Sequence, residues 1–383
     1  MIPPASPPHQ ASASDPSPAA PAARLEDRKP TRGARKSALP ALTVLTIALL
    51  GAMLIDVWMG EASVARIVTP GSVLRVLLSH TPLLSAHIAP PDFRIDGIVW
   101  SIRLPRVLGG ALIGMLLALA GVAFQSLLLN PLADPYFVGV SSGAGLGAAI
   151  VTLLGGAGWL AGFAPTLAAF AAGLAAVAVV YALARVNGRV PVQTFLLAGI
   201  VVGTALYSLT KLTVSLAFRA GDAYKASAIL TQLLGSLNGL SWRDVWLLLP
   251  FGVLGGAVLG SSWRELNMMA FGEESAAHLG VDTERFKRRV LVAGTLVTAA
   301  AVAVGGIIAF VGMIVPQIAR RLVGPDHRRL LPTAMLLGGL VLVGSDWLSR
   351  VYLQGLDIGV ITSLLGAPVF CWLLRRRIVQ QEL

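Results

Sequence analysis

The residues able to do chemistry are few and far apart in this 383-residue chain. Its five histidines, His9, His80, His87, His278 and His327, are too scattered for a metal cluster. The single cysteine, Cys371, excludes a disulfide framework and any cysteine-rich metal or iron–sulfur site. Eight unclustered methionines add nothing that would hold a bare metal ion. No G-x-x-x-x-G-K-[ST] run occurs, so nothing cradles nucleotide phosphates in the P-loop manner, and if ATP drives this protein another subunit binds it. Asp56, Asp346 and Asp357 all fall toward the ends of apolar runs, whereas a proton-coupled carrier places carboxylates deep in its bundle. No two apolar runs share a His/Asp/Glu or Ser/Lys constellation at a common depth, which leaves an intramembrane enzyme without support. Two arginine groups remain: Arg103 and Arg106 in RLPR, and Arg350 at i,i+4 from Asp346. Either they neutralise acids within the chain, or they stand exposed and receive carboxylates of a docking protein through the guanidinium fork.

The elements that position these groups must be membrane helices. At 55 % hydrophobic and 13 % charged residues the chain is far too apolar for a soluble fold, which is about a quarter charged. Its net charge of +11 sits between uncharged stretches and reads as a topology signal, with no nucleic acid as partner. Residues 1–37, rich in Pro, Ala and Ser and then basic, are expected to be a disordered tail. The first apolar run begins only near Ala38, which predicts a retained span and no cleaved signal.

About 20 helical residues cross a bilayer. Uncharged runs cover Ser37 to Ile55, Val107 to Ala133, Pro135 to Ala184, Val190 to Thr210, Val245 to Trp263, Val290 to Ala319, Leu330 to Ser345 and Ile358 to Leu374. The third holds two helices, turning between Gly155 and Pro165. The sixth is too long for one span, and Gly305 and Gly306 offer a break. Splitting it gives ten spans with both termini on one side. With that side cytoplasmic, 20 of the 30 Lys and Arg residues lie there and eight opposite, as the positive-inside rule requires.

Three segments carry further information. NPLADPYFVGVSSGAG, Asn130 to Gly145, joins two X-Pro steps to small residues and reads as a turn into a closely packed helix. In the fifth span Gly199 and Gly203 form G-x-x-x-G, with Thr204, Ser208 and Thr210 beside them. This helix either packs tightly or lines a wet path; Lys211 near its far end snorkels. GEESAAHLGVD, Gly272 to Asp282, reads as a short helix with Glu273 and Glu274 at its positive end, His278 in its last turn and Gly280 past its C-cap. It lies in a loop of about 25 residues, 264–289, which is longer than a plain connection needs. Such a helix either rests on lipid headgroups or docks into a cytoplasmic partner.

These motifs in this order resemble the FecCD-type permeases of ABC importers for iron–siderophore complexes, haem and cobalamin. The resemblance runs from Leu42 to Leu374 and rests on RLPR, NPLADPYFVGVSSGAG, LLAGI, LGSLNGLSW, GEESAAHLGVD, GMIVPQIARRLVGPDHR and LLGAPVF. It implies an all-α polytopic membrane protein of ten transmembrane helices with the type II ABC importer permease fold, residues 38–383, in the cell (inner) membrane. The implied partners are a second copy of the chain, two ABC ATPase subunits carrying ATP and Mg, and an extracytoplasmic substrate-binding protein; the chain itself binds no cofactor and catalyses nothing.

The implied coupling helix comprises Gly272, Glu273, Glu274, Ser275, Ala276, His278, Leu279 and Gly280. Arg103, Arg106 and Arg350 match the family's binding-protein contacts, and Gly199, Gly203, Ser208 and Thr210 match its translocation path. An iron chelate is the expected cargo, with cobalamin the alternative. Gln317 replaces a frequent His, and Gly355, Leu356, Asp357 replace a frequent Glu-Leu-Pro.

Overall fold

The computed structural model describes residues 38–59, 68–81, 89–156, 162–185 and 190–381. The expected disordered tail, residues 1–37, lies outside them, as do Arg66, Arg189 and part of the expected turn between Gly155 and Pro165.

Polar caps and prolines punctuate the apolar runs into helices, and no strand occurs among the described residues. Helix α1 is Ala38–Trp58 and α2 is Pro70–Ser79, the latter opened by a Thr69/Ser72 capping box with proline at its first position. The next long helix starts as α3, Phe93–Asp96, is wound as π over Gly97–Arg103, and continues as α4, Leu104–Leu127. Pro105 has no N–H to return to the preceding turn, and the wider winding lies directly before it. A 3₁₀ turn, Pro135–Val138, capped by Asp134, leads into α5, Val140–Leu153, and then α6, Ala164–Ala184, follows. The chain continues through α7, Val192–Arg219, α8, Ala223–Leu234, and α9, Trp242–Ser261. Two short helices, α10 (Trp263–Met269) and α11 (Glu273–His278), precede α12 (Thr283–Gly305), α13 (Val311–Val323), α14 (His327–Tyr352) and α15 (Ile358–Gln381).

Seven of these helices are long and apolar enough to cross a membrane. The ten expected spans all correspond to helices, of which α5 and α13, with 14 and 13 residues, are the short ones. Length and composition thus define a multi-pass membrane protein, with seven helices among the described residues long and apolar enough to cross and shorter apolar helices at Val140–Leu153 and Ile358–Trp372. The run from Val290 to Ala319 does split at the glycine pair: α12 ends on Gly305, and Gly306 takes φ +70°.

Helix α4 is the axis of the bundle. It is apolar on every side, so it is stable only when other helices surround it; nearly all of its residues from Val107 to Leu127 are buried. Small residues set how closely its neighbours approach. A Cβ on Gly114 would overlap the Gly338 carbonyl of α14, and one on Gly121 would overlap the Gly312 carbonyl of α13. Gly143 and Gly147 likewise admit the α6 backbone at Ala172 and Ala168. Helices α1 and α7 are peripheral, most of their apolar surface being exposed in the single chain.

Gly121→Val drives a branched side chain into backbone that cannot yield, at a cost of about 1–3 kcal/mol or more. The monodisperse fraction on size exclusion in detergent should fall sharply for Gly121→Val. It should stay unchanged for Gly256→Ala, whose Cβ meets open space.

Candidate functional site

Three constellations stand out, one at each end of the bundle and one within it. The first gathers where α1 and α14 end and α4 begins. Arg106 grips Asp346 with Nε donating at 3.1 and 3.0 Å and Nη2 at 2.7 Å. Arg350 reaches Asp346 at 3.0 Å, one helical turn away, and its Nη2 pairs with Asp56 of α1. Arg103, aimed inward from the π segment, donates from Nη1 to the carbonyl oxygens of Val57 at 2.8 Å and Trp58 at 2.9 Å. It thereby satisfies acceptors that the end of α1 would leave bare. Asp56 and Asp346 are 0 and 1 % exposed, Arg103 and Arg350 5 and 8 %.

Arg103 and Arg350 are buried, Arg106 is half-buried, and each holds a partner within the chain, as the first of the two alternatives has it. All three were also expected to receive a partner protein's carboxylates; in the single chain their donors face Asp346, Asp56 and the end of α1. The i,i+4 spacing of Asp346 and Arg350 was visible in the sequence. That Asp56, 294 residues away, completes the cluster was not. The altered turn at Gly355, Leu356, Asp357 closes this end: Gly355 takes φ +82°, and its N–H donates to Ser349 at 3.0 Å.

The second constellation is a patch of non-helical backbone inside the bundle. Ser236 N–H donates to Gly305 at 3.0 Å and Gly359 N–H to Gly235 at 3.1 Å. The Tyr136 hydroxyl accepts from Ile308 N–H at 3.0 Å. Asp134, a buried residue of the NPLADPYF loop, accepts from Tyr136 N–H at 3.0 Å and also from the Phe310 backbone. Gly306, Gly235 and Gly359 sit so close to neighbouring carbonyls that no side chain fits. Broken backbone at this depth persists only where protein buries it or where it lines a cavity. The turn reading of Asn130 to Gly145 was correct but incomplete, because the loop also splints the break between α12 and α13.

Helix α7 runs beside this patch. Gly199 and Thr210 are buried, Thr210 donating to its own helix at Leu206 O, and Gly203 packs near Ser142 and Gly139. Of the expected path residues only Ser208 is exposed. The G-x-x-x-G is a packing surface, and the face left open carries Thr204, Ser208, Lys211 and Ser215 at i, i+4, i+7 and i+11. Lys211 rests 4.7 Å over the Tyr207 ring.

The third constellation occupies the basic end. Helix α11 spans Glu273–His278, with Glu273 and Glu274 in its first turn and His278 in its last; Gly272 and Gly280 take φ +102° and +87°. Ala276 is its buried anchor. Glu273 binds Lys287 of α12 at 2.8 Å, and Lys287 also binds Glu284 at 2.6 Å. Glu274, Ser275, His278, Leu279 and Gly280 are exposed. Phe271 and Leu279, 78 and 63 % exposed, flank the helix with apolar surface. Phe271 was missed in the sequence, although a large aromatic residue in a polar connecting segment has little within that segment to bury it. Between α10 and α12 lies a groove of about 540 Å³ bordered by Arg264, Arg285 and Arg289.

Polar side chains tie this end to the axis. Asn267 of α10 accepts from His327 N–H at 2.9 Å, faces the His327 Nδ1 at 2.7 Å and donates to Asp326 at 2.9 Å. Chiefly through that amide bond, the Asp326 carboxyl is held below its ordinary range. His327 Nε2 lies 2.6 Å from Ser126 of α4. Gln317, the departure noted in the sequence, donates to Gln125 at 3.0 Å, and Arg320 donates to the same oxygen at 2.8 Å.

A buried axis, a stitched interior break and a displayed short helix define an all-helical, multi-pass membrane bundle. The FecCD transport family model matches residues 41–376, and the chain belongs to that family. It is 44 % identical to YvrB of Bacillus subtilis (strain 168), an uncharacterised ABC transporter permease protein, over 76 % of this chain and 82 % of that one. It is 42 % identical to a cobalamin import system permease protein, BtuC, of Halobacterium salinarum, over 78 and 80 %. The vitamin B12 import system permease protein BtuC of Klebsiella pneumoniae is 37 % identical over 73 and 82 %. Among solved structures, one described as an inward-facing conformation of a metal-chelate type ABC transporter superposes with TM-score 0.74 at 25 % identity, over 88 % of this chain and 99 % of that one. The chain is thus an ABC importer permease of the FecCD family.

Removing one member of a buried charge cluster strands its partners and costs about 3–5 kcal/mol. Asp346→Ala should therefore lower the thermal midpoint in detergent by several degrees. The double variant Arg106→Met/Asp346→Leu should lose less than the single Asp346→Ala, and thermal scans of the three proteins check the ordering.

Proposed function

We propose that this chain forms, with a second copy of itself, the membrane conduit of an importer powered by two separate ATPase subunits and fed by an extracytoplasmic substrate-binding protein. Both termini and the basic end then face the cytoplasm, in the inner membrane of the cell. The single observation that carries the reading is α11. A six-residue helix capped by left-handed glycines presents Phe271 and Leu279 to solvent, yet is pinned through Glu273 and Lys287 to a membrane-crossing helix. ATP binding and hydrolysis in the partners move α11, and α12 carries the displacement into the bundle. The energy comes from differential affinity of the nucleotide for two states of the assembly.

The path in this reading follows the open α7 face, with Thr204, Ser208, Lys211 and Ser215 turned toward the second copy. Arg103, Arg106 and Arg350 serve the binding protein indirectly: they hold the ends of α1, α4 and α14 in fixed register beneath its landing surface. No bond of the cargo is made or broken.

The cargo we infer is a corrinoid. Relatives at 42 and 37 % identity carry cobalamin and vitamin B12 names, which moves the preference away from the iron chelate first expected. The iron-chelate reading keeps one specific support, the metal-chelate neighbour at TM-score 0.74.

Two measurements test these statements. Proteoliposomes holding the full assembly should accumulate cyanocobalamin only with ATP inside; ATP-dependent uptake of a ferric siderophore or haem in its place overturns the cargo. The paired change Phe271→Asp/Leu279→Asp should cut co-purification of the ATPase at least about tenfold, since burying two charges at an apolar contact costs more than the 1.4 kcal/mol that tenfold represents. Undiminished co-purification removes α11 from the coupling role.

A further inference from the structure

Outside the constellations above, the seam between α6 and α12 has the form of a ligand site. Leu174, Val177, Ala178 and Tyr181 of α6 stand at i, i+3, i+4 and i+7. They face Leu291, Val292, Thr295 and Leu296 of α12, and Arg288 lies at the basic-end mouth. Both sets keep helical spacing, so each presents one continuous stripe. Together they enclose a groove of about 410 Å³ whose walls are almost wholly apolar. From Arg288 to Leu296 it runs about 12 Å along α12 at 1.5 Å per residue. Both helices are membrane-crossing, so the groove opens along the hydrocarbon.

The mouth has the opposite chemistry. Arg288 is exposed, and no carboxylate among the described residues lies within ion-pair distance of it. Its nearest acid by helical spacing, Glu284 one turn earlier, is occupied by Lys287 at 2.6 Å. Arg285 is engaged by Asp282 at 2.9 Å, and Arg289 faces Glu265 at 3.6 Å. Arg288 is thus the uncommitted cation of this turn, placed where an apolar slot meets the headgroup level.

We propose that this seam binds an anionic phospholipid of the leaflet at the basic end, with an acyl chain in the slot and the phosphate on Arg288. A zwitterionic lipid offers the same chain but a headgroup of no net charge, so selectivity resides in the single guanidinium. The site lies one residue from Lys287, which pins α11. Lipid occupancy therefore steadies the turn of α12 through which the coupling segment is held.

The test is native mass spectrometry of the full chain released from detergent containing equal phosphatidylglycerol and phosphatidylcholine. The wild type should retain phosphatidylglycerol preferentially. Arg288→Gln should reduce that preference about five-fold, the worth of one basic residue at a membrane surface. Arg285→Gln should leave it unchanged, and Ala178→Trp, which fills the slot, should reduce retention of both lipids. Millimolar inorganic phosphate should displace neither.

Equal retention by Arg288→Gln overturns the proposal, as does an equal loss in Arg285→Gln, which would mean diffuse attraction. Displacement by phosphate makes the site an anion site only. A shift in dimer fraction for Ala178→Trp without lipid loss assigns the seam to a second copy. Monodispersity and thermal midpoint in phosphatidylcholine alone show that each variant is folded. The readout involves no ATPase and no cargo, so it stands or falls apart from the transport reading.

Discussion

A polar backbone group inside hydrocarbon has no water to fall back on, and each one left bare costs several kcal/mol. That constraint governs this molecule more than any side-chain interaction. A continuous helix meets it automatically. This bundle breaks a helix in its interior and must meet it by hand, with Tyr136 serving Ile308, Asp134 serving Phe310, and Ser236 and Gly359 closing the facing segments of chain. The glycines at the break are needed because the stitching backbones approach within side-chain distance of one another. Once the break is stitched, the rest of the architecture follows: α12 and α13 become separate bodies, and each is fixed to the axial α4 by its own set of contacts.

Those contacts differ in kind along the axis. In the middle they are glycine-to-carbonyl approaches, which fix distance and forbid sliding. At the two ends they are polar: charges at one, and amide, imidazole and hydroxyl groups at the other. Buried charges are poor contributors to net stability but costly to separate. The arginine cluster therefore acts less as glue than as a register mark joining α1, α4 and α14. The amide network at the basic end, from Asn267 through His327 to Ser126, is uncharged or half-exposed and joins the coupling segment to the axis with directional bonds that can be exchanged.

What the sequence made legible was local. Acidic residues after Gly272 and a glycine at 280 are sufficient to specify a short capped helix, because the macrodipole and the left-handed C′ position act within one turn. The Gly305–Gly306 break was legible because the uncharged run around it is too long for one span and splitting it puts the basic residues on one side. The positions of Gly199, Thr210 and the three arginines were not. A small residue on a membrane helix reads the same whether it faces a neighbour or a path, and an arginine near a span end reads the same whether it meets solvent or a buried acid. Those choices depend on partners dozens to hundreds of residues away, as with Asp56 and Arg350, and on rotation of α7 about its axis. Uncharged length, too, does not reveal how much of a run is spent on turns, which leaves α5 and α13 at 14 and 13 residues.

The sequence separation within the arginine cluster also has a consequence for biogenesis. Asp56 leaves the ribosome 294 residues before Arg350. At roughly 5–20 residues per second, that is on the order of 15–60 s during which the first helix carries an unmatched carboxylate near its end. Until the late helix α14 is inserted, Asp56 has no Arg350 to bind, and α1 is held at this end by the Arg103 contacts to its last carbonyls. The cluster is therefore a closing clasp, fastened late in synthesis and holding α1 to α14.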